Sequence, residues 1–109
     1  QANQGVSTMR TPKQFTIGNT PHLVRTEKQV VVGNKICHGS FDEDTCTISI
    51  AKGNPLRGYK YDADERANTF WHELTHAILF DMGNKLTHDE KFVTAFADRL
   101  DQAIKTARF

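Results

Sequence analysis

The stretch Thr69-Phe70-Trp71-His72-Glu73-Leu74-Thr75-His76-Ala77-Ile78 constrains this chain more than any other. On an α-helix each residue advances about 100°, so residues four apart share a face one turn apart. His72 and His76 then aim two imidazoles at one point, with Glu73 beside them. Two neutral imidazoles suit Zn²⁺, and a carboxylate next to a zinc-held water is a general base. The stretch therefore predicts a helix that carries two metal ligands and one proton acceptor.

Helix signals extend well beyond it. Asp62 with Glu65 three residues later has the pattern of a capping box, and Gly83 supplies a left-handed residue at the far end. One face carries Ala63, Ala67, Phe70, Leu74, Ala77 and Ile78, and the opposite face adds Leu79 and Phe80 near the end. An end that is apolar on both sides should be covered on both, by a sheet and by a second helix. That second helix is expected from His88 to near 107, with Thr87 as cap and Phe92, Val93, Phe96, Ala97, Leu100 and Ile104 at helical spacing. The first is expected over 63–82. The linker between them is short, so the two should pack side by side.

The first half reads as β. Lys13–Gly18, the run Gln29-Val30-Val31-Val32 within His22–Val32, Lys35–Gly39 and the strictly alternating Thr45–Ala51 have strand patterns. Asn19-Thr20-Pro21 and Gly33-Asn34 read as turns, Phe41-Asp42-Glu43-Asp44 as an acidic loop, and Gly53-Asn54-Pro55 as the end of the sheet. The expected architecture is α+β: a small antiparallel sheet of about three strands, then two packed helices. Residues 1–12 read as a loose polar tail and residues 13–109 as a single domain.

Composition sets bounds on function. The formal charge of +1 over 109 residues leaves no electrostatic footprint for nucleic acid. No apolar run approaches a membrane span. Cys37 and Cys46 flank an expected hairpin and are read as reduced thiols, two being too few for a disulfide framework.

Catalytic zinc takes three protein ligands. After His72 and His76, the start of the second helix offers His88, Asp89 and Glu90. Each has an ordinary alternative. Glu90 completes a capping box with Thr87, Asp89 suits the helix dipole, and His88 suits a solvated loop.

Residues 69–78 resemble the active-site helix of zincin metallopeptidases. Thr69 stands three before His72, the inner residues Leu74 and Thr75 are uncharged, and Ile78 follows His76 by two. With Glu90-Lys91-Phe92-Val93-x-x-Phe96-Ala97-x-x-Leu100, the chain is similar to small gluzincin-like metallopeptidases of phage and prophage genomes, distant relatives of the ImmA/IrrE-like peptidases. That resemblance implies Glu90, six residues before Phe96, as third ligand. It also implies a cytoplasmic setting, the host's for a phage-borne chain. A competing resemblance, to SprT-like proteases that act on DNA–protein crosslinks, implies His88, with Phe92 four later.

The zincin resemblance implies zinc-dependent peptide hydrolysis with Glu73 as general base and a peptide or protein as substrate. It implies an oxyanion donor, for which Tyr59, Tyr61, His22 and His38 are candidates. It also implies a sheet edge that pairs with substrate, expected in Thr45–Ala51. The alternative from another class is a module whose zinc staples two helices while the domain binds a partner. A structural zinc has no need of Glu73.

Overall fold

The computed structural model describes residues 11–109; residues 1–10, most of the expected tail, lie outside the described residues. The fold is α+β, as expected. Strands β1 (Gln14–Ile17) and β2 (Thr20–Glu27) form a hairpin. Its two-residue turn is Gly18-Asn19, one position earlier than expected, with Gly18 at φ +59°. Strands β3 (Val30–Val32) and β4 (Lys35–Cys37) form a second hairpin. Strands β5 (Gly39–Asp42) and β6 (Thr47–Ala51) form a third. Phe41 and Asp42 thus belong to a strand rather than to the acidic loop. The turn is held by Asp42 Oδ1, which accepts from the N–H of Asp44 at 2.9 Å. Strands β7 (Gly53–Asn54) and β8 (Tyr59–Lys60) extend the β region beyond its expected end at Pro55.

The main sheet has four strands in the order β1-β2-β6-β5. The expectation of about three antiparallel strands needs correction here, because β2 and β6 run parallel. Alternation along a strand reports which face is buried, not which strand lies beside it. A second correction concerns Thr45–Ala51 as a substrate-pairing edge. β6 is interior, paired with β2 on one side and β5 on the other, so its backbone groups are consumed. The edge strands are β1 and β5, and β5 is the one that lies beside α1.

Helix α1 (Ala63–Asp81) has both expected ends. Asp62 accepts from the Glu65 N–H at 2.8 Å, and the Glu65 side chain accepts from the Asp62 N–H at 2.9 Å. Gly83 follows at φ +64°. Phe70 packs beneath β6 with Ile48 and Ile50, and Phe15, Val24, Phe41, Trp71 and Leu74 pack around them. Val30, Ala51 and Tyr61 form a smaller core. The far end of α1 is less covered than its apolar pattern implied. Leu79 is buried, but Ile78 and Phe80 are 39% and 40% exposed, Phe80 meeting the sheet through an edge contact with Phe41.

A 3-10 turn (Lys85–His88) joins α1 to α2 (Glu90–Thr106). The expected cap Thr87 is not the cap. Asp89 is, its Oδ1 accepting from the Phe92 N–H at 3.0 Å. Val93 and Ala97 of α2 are buried, and the helix packs along α1. Cys37 and Cys46 are free. They do not face each other: Cys37 pairs with Val30 in the β3–β4 hairpin, and Cys46 lies in the β5–β6 turn. No helix among the described residues is long and apolar enough to cross a membrane.

Candidate metal centre

His72 and His76 project from one face of α1, ring centroids 5.1 Å apart. The linker then brings the first residue of α2 over them. Because Asp89 is the cap, Glu90 is the first helical residue and its carboxylate reaches back to α1. His72 Nε2 stands 2.9 Å from Glu90 Oε1, and His76 Nε2 stands 2.9 Å from Glu90 Oε2. One ligand-type atom from each of the three residues lies within 4.8 Å of the others.

The hydrogen bonding of His76 says what this arrangement wants. Its Nδ1 faces the carbonyl of Thr87, which can only accept, so Nδ1 carries the hydrogen. The neutral ring then has a bare lone pair at Nε2, pointed at a carboxylate. Two acceptors 2.9 Å apart repel unless a cation stands between them. That cation is either a second ring proton or a metal ion. Two imidazoles and one carboxylate with converging lone pairs are a zinc-type donor set. The Thr87 carbonyl fixes the ring as outer partners of metal-ligating histidines do. Thr87 Oγ1 also donates to the His76 carbonyl at 3.1 Å, so Thr87 ties the linker to α1 rather than capping α2.

The other two candidates for third ligand lie elsewhere. Asp89 is occupied in its cap. His88 is exposed and turns its Nε2 to Glu43 Oε2, 3.4 Å away.

Glu73 is 7% exposed. Burial pushes its carboxyl from the ordinary 4.5 to about 8, and the nearby Glu90 charge adds to the rise. Two grooves meet at this point. Cys37, Gly39, Glu73 and Glu90 line both of them. The first, about 910 Å³, runs toward the start of α1 past His38, Asn68 and Asp101. The second, about 760 Å³, runs between β5 and the β3–β4 turn toward His88.

Of the four candidate oxyanion donors, only His38 lines this cleft. Its ring stacks on Tyr61 at 4.4 Å. Tyr61 is buried in the small core, and Tyr59 donates its hydroxyl to Glu65 Oε2 at 2.9 Å. His22 is 2% exposed and stacked between Phe15 and Phe41.

Sequence reasoning missed Gly39. A methyl group there would stand 2.6 Å from Thr69 Cγ2, 2.7 Å from the Ser49 carbonyl and 3.4 Å from Glu73 Cγ. Only glycine lets the edge strand lie this close to the helix that carries Glu73. A lone Gly at a strand start was the available signal, and it marks many things besides close approach. No family model matches this chain, and neither does any curated protein or solved structure compared with it.

Proposed function

We propose that this chain is a zinc-dependent metallopeptidase that hydrolyses peptide bonds with Glu73 as general base. The observation that carries the reading is the convergence of His72, His76 and Glu90 on one point, with the buried carboxyl of Glu73 beside them in an open cleft. His72, His76 and Glu90 would hold the ion. Bound zinc supplies Lewis acidity, polarising a carbonyl and making water a stronger acid.

The chain's own groups do the rest. Glu73 removes a proton from the attacking water and delivers it to the departing amine. Water and amide become acid and amine, and Glu73 ends as it began. To act as a base it must be ionised. Burial is the larger cause of its raised pKa and Glu90's charge the smaller; a cation held beside it would favour the ionised carboxylate against both. His38, the one oxyanion candidate lining the cleft, would donate toward a developing negative charge.

Strand β5 supports an extended substrate. The Ala51 N–H donates to the His38 carbonyl at 2.8 Å. Alternation along the ladder then turns Ser40 and Asp42 toward β6, and the N–H and C=O of Gly39 and Phe41 toward the open edge. A peptide added as a strand there would pass directly over Glu73. Pairing through backbone groups selects for an extended chain rather than for one sequence.

The test is metal content joined to cleavage. Purified chain dialysed against zinc should hold one ion. His72→Ala/His76→Ala should hold none and should cleave no unfolded protein. Full zinc occupancy in the double variant contradicts the reading. Full occupancy in the wild type with no cleavage of any peptide in a broad library favours the zinc-stapled binding module instead.

A further inference from the structure

A third groove lies outside the cleft. It occupies about 940 Å³ between the β7–β8 hairpin and the start of α1. Lys28, Lys52, Lys60 and Arg66 line it, with Tyr59 and Tyr61, and no carboxylate among the described residues does. The whole chain carries 14 Lys and Arg against 13 Asp and Glu, so this segregation leaves the remainder net acidic. The neighbouring carboxylates are hydrogen-bonded, and Glu65 is the one that reaches a groove residue, accepting from the Tyr59 hydroxyl. Glu65 and Asp62 close the helix cap, and Glu27 accepts from the Ser49 hydroxyl. The groove is also built. The β7–β8 strands are pressed together, so that a methyl group on Gly53 would collide with the Tyr59 carbonyl. Arg66 is held in place by donating to the Tyr61 carbonyl at 2.6 Å.

Its position relates it to the cleft. Tyr61 lines the basic groove, and His38, stacked on Tyr61, lines the cleft. Arg66 precedes His72 by six residues on the same helix, about 9 Å along its axis. An extended chain covers that span in about three residues. The near arm of the cleft is mixed in charge, Asp64, Glu65 and Asp101 against Lys35 and Lys105, whereas the far arm is lined by Asp42, Glu43 and Asp44 and, among the described residues, by no Lys or Arg.

We propose that the groove of Lys28, Lys52, Lys60 and Arg66 docks an acidic segment of a protein substrate and so fixes which way the substrate lies in the cleft. The occupant's role as substrate rests on the peptidase reading. The docking itself does not. Three of the four cations are lysines, point charges without the planar fork of arginine, and Arg66 is already bonded to backbone. They fit a run of carboxylates better than one bidentate anion. A nucleic-acid strand wants successive aromatic platforms for its bases. The groove has one exposed ring, Tyr59, because Tyr61 is buried. The acidic far end repels the same segment, so an acidic peptide has one favourable direction.

The test uses full-length Glu73→Gln protein and a fluorescent peptide alternating Glu and Gly, followed by anisotropy at low ionic strength. The peptide should bind, and added salt should weaken it. Lys52→Glu/Lys60→Glu should weaken it by roughly tenfold or more, while a metal chelator leaves it unchanged. In the wild type, an acidic tail on a cleavable peptide should lower KM, and the double charge reversal should remove that gain without slowing an untailed peptide. Equal binding by both proteins, or no binding, overturns the proposal and leaves the peptidase reading intact. Tighter binding of an oligothymidylate of equal charge overturns it in favour of single-stranded nucleic acid. Charge-dependent peptide binding with no hydrolysis by the wild type upholds the docking and sinks the peptidase.

Discussion

Gly39 leaves no room for a side chain against Thr69: a methyl group on its backbone would stand 2.6 Å from Thr69 Cγ2. The β5 edge of the sheet is thereby pressed against the helix that carries Glu73. Gly39→Ala should cost about 1–3 kcal/mol of stability through overpacking and push the edge away from Glu73. Activity should fall more than zinc affinity does, since Gly39 touches no ligand. Thermal unfolding and kcat/KM of the zinc-loaded variant check this. Unchanged values for both would mean that the seam yields freely.

The start of α2 separates three acidic or imidazole side chains by role. Glu90→Ala should weaken zinc affinity by a large factor, whereas His88→Ala should leave it nearly unchanged. Asp89→Ala should cost about 1 kcal/mol of stability through the lost cap, with a smaller effect on metal. Competition with a zinc chelator ranks the three. Metal loss confined to His88→Ala would move the ligand set to the SprT-like arrangement.

The buried carboxyl of Glu73 sets a pH dependence in the metal-free chain. Folded, it keeps its proton up to about pH 8; unfolded, it loses it near 4.5. The folded state therefore binds more protons across that window, and stability falls as pH rises through it. Below the window the carboxyl is neutral in both states and the penalty is absent. The loss is on the order of a few kcal/mol. Glu73→Gln should remove it, since the amide carries no proton to lose. Denaturant melts of the two metal-free chains from pH 5 to about 8.5 give the comparison, and parallel slopes would contradict the burial argument.

Much of the helical half was readable because its determinants are local. Asp62, Glu65 and Gly83 mark the ends of α1 through contacts within a few residues. The entry to α2 was displaced by two positions, because Thr87 and Asp89 are both credible caps. Thr87 is drawn away by a contact with His76 that joins residues eleven apart. The third member of the cluster stayed open for the same reason: Glu90, His88 and Asp89 differ in direction, and direction depends on which residue caps the helix. In the sheet, Ile48 and Ile50 announced a strand, but its parallel pairing with β2 depends on a crossover that alternation does not encode. The open edge at β5, and the need for glycine at its first residue, followed from that pairing and were out of reach.

The most direct measurement compares cleavage of an unfolded protein by wild type and by Glu73→Gln, both carrying one zinc per chain. The substitution keeps the shape and hydrogen-bonding reach of Glu73 and removes only the base. A fall in kcat of about 10² to 10⁴-fold, the usual contribution of general acid–base catalysis, with zinc content unchanged, is the predicted result. Equal rates in the two metal-loaded proteins would contradict the account, because proton transfer would then not pass through Glu73.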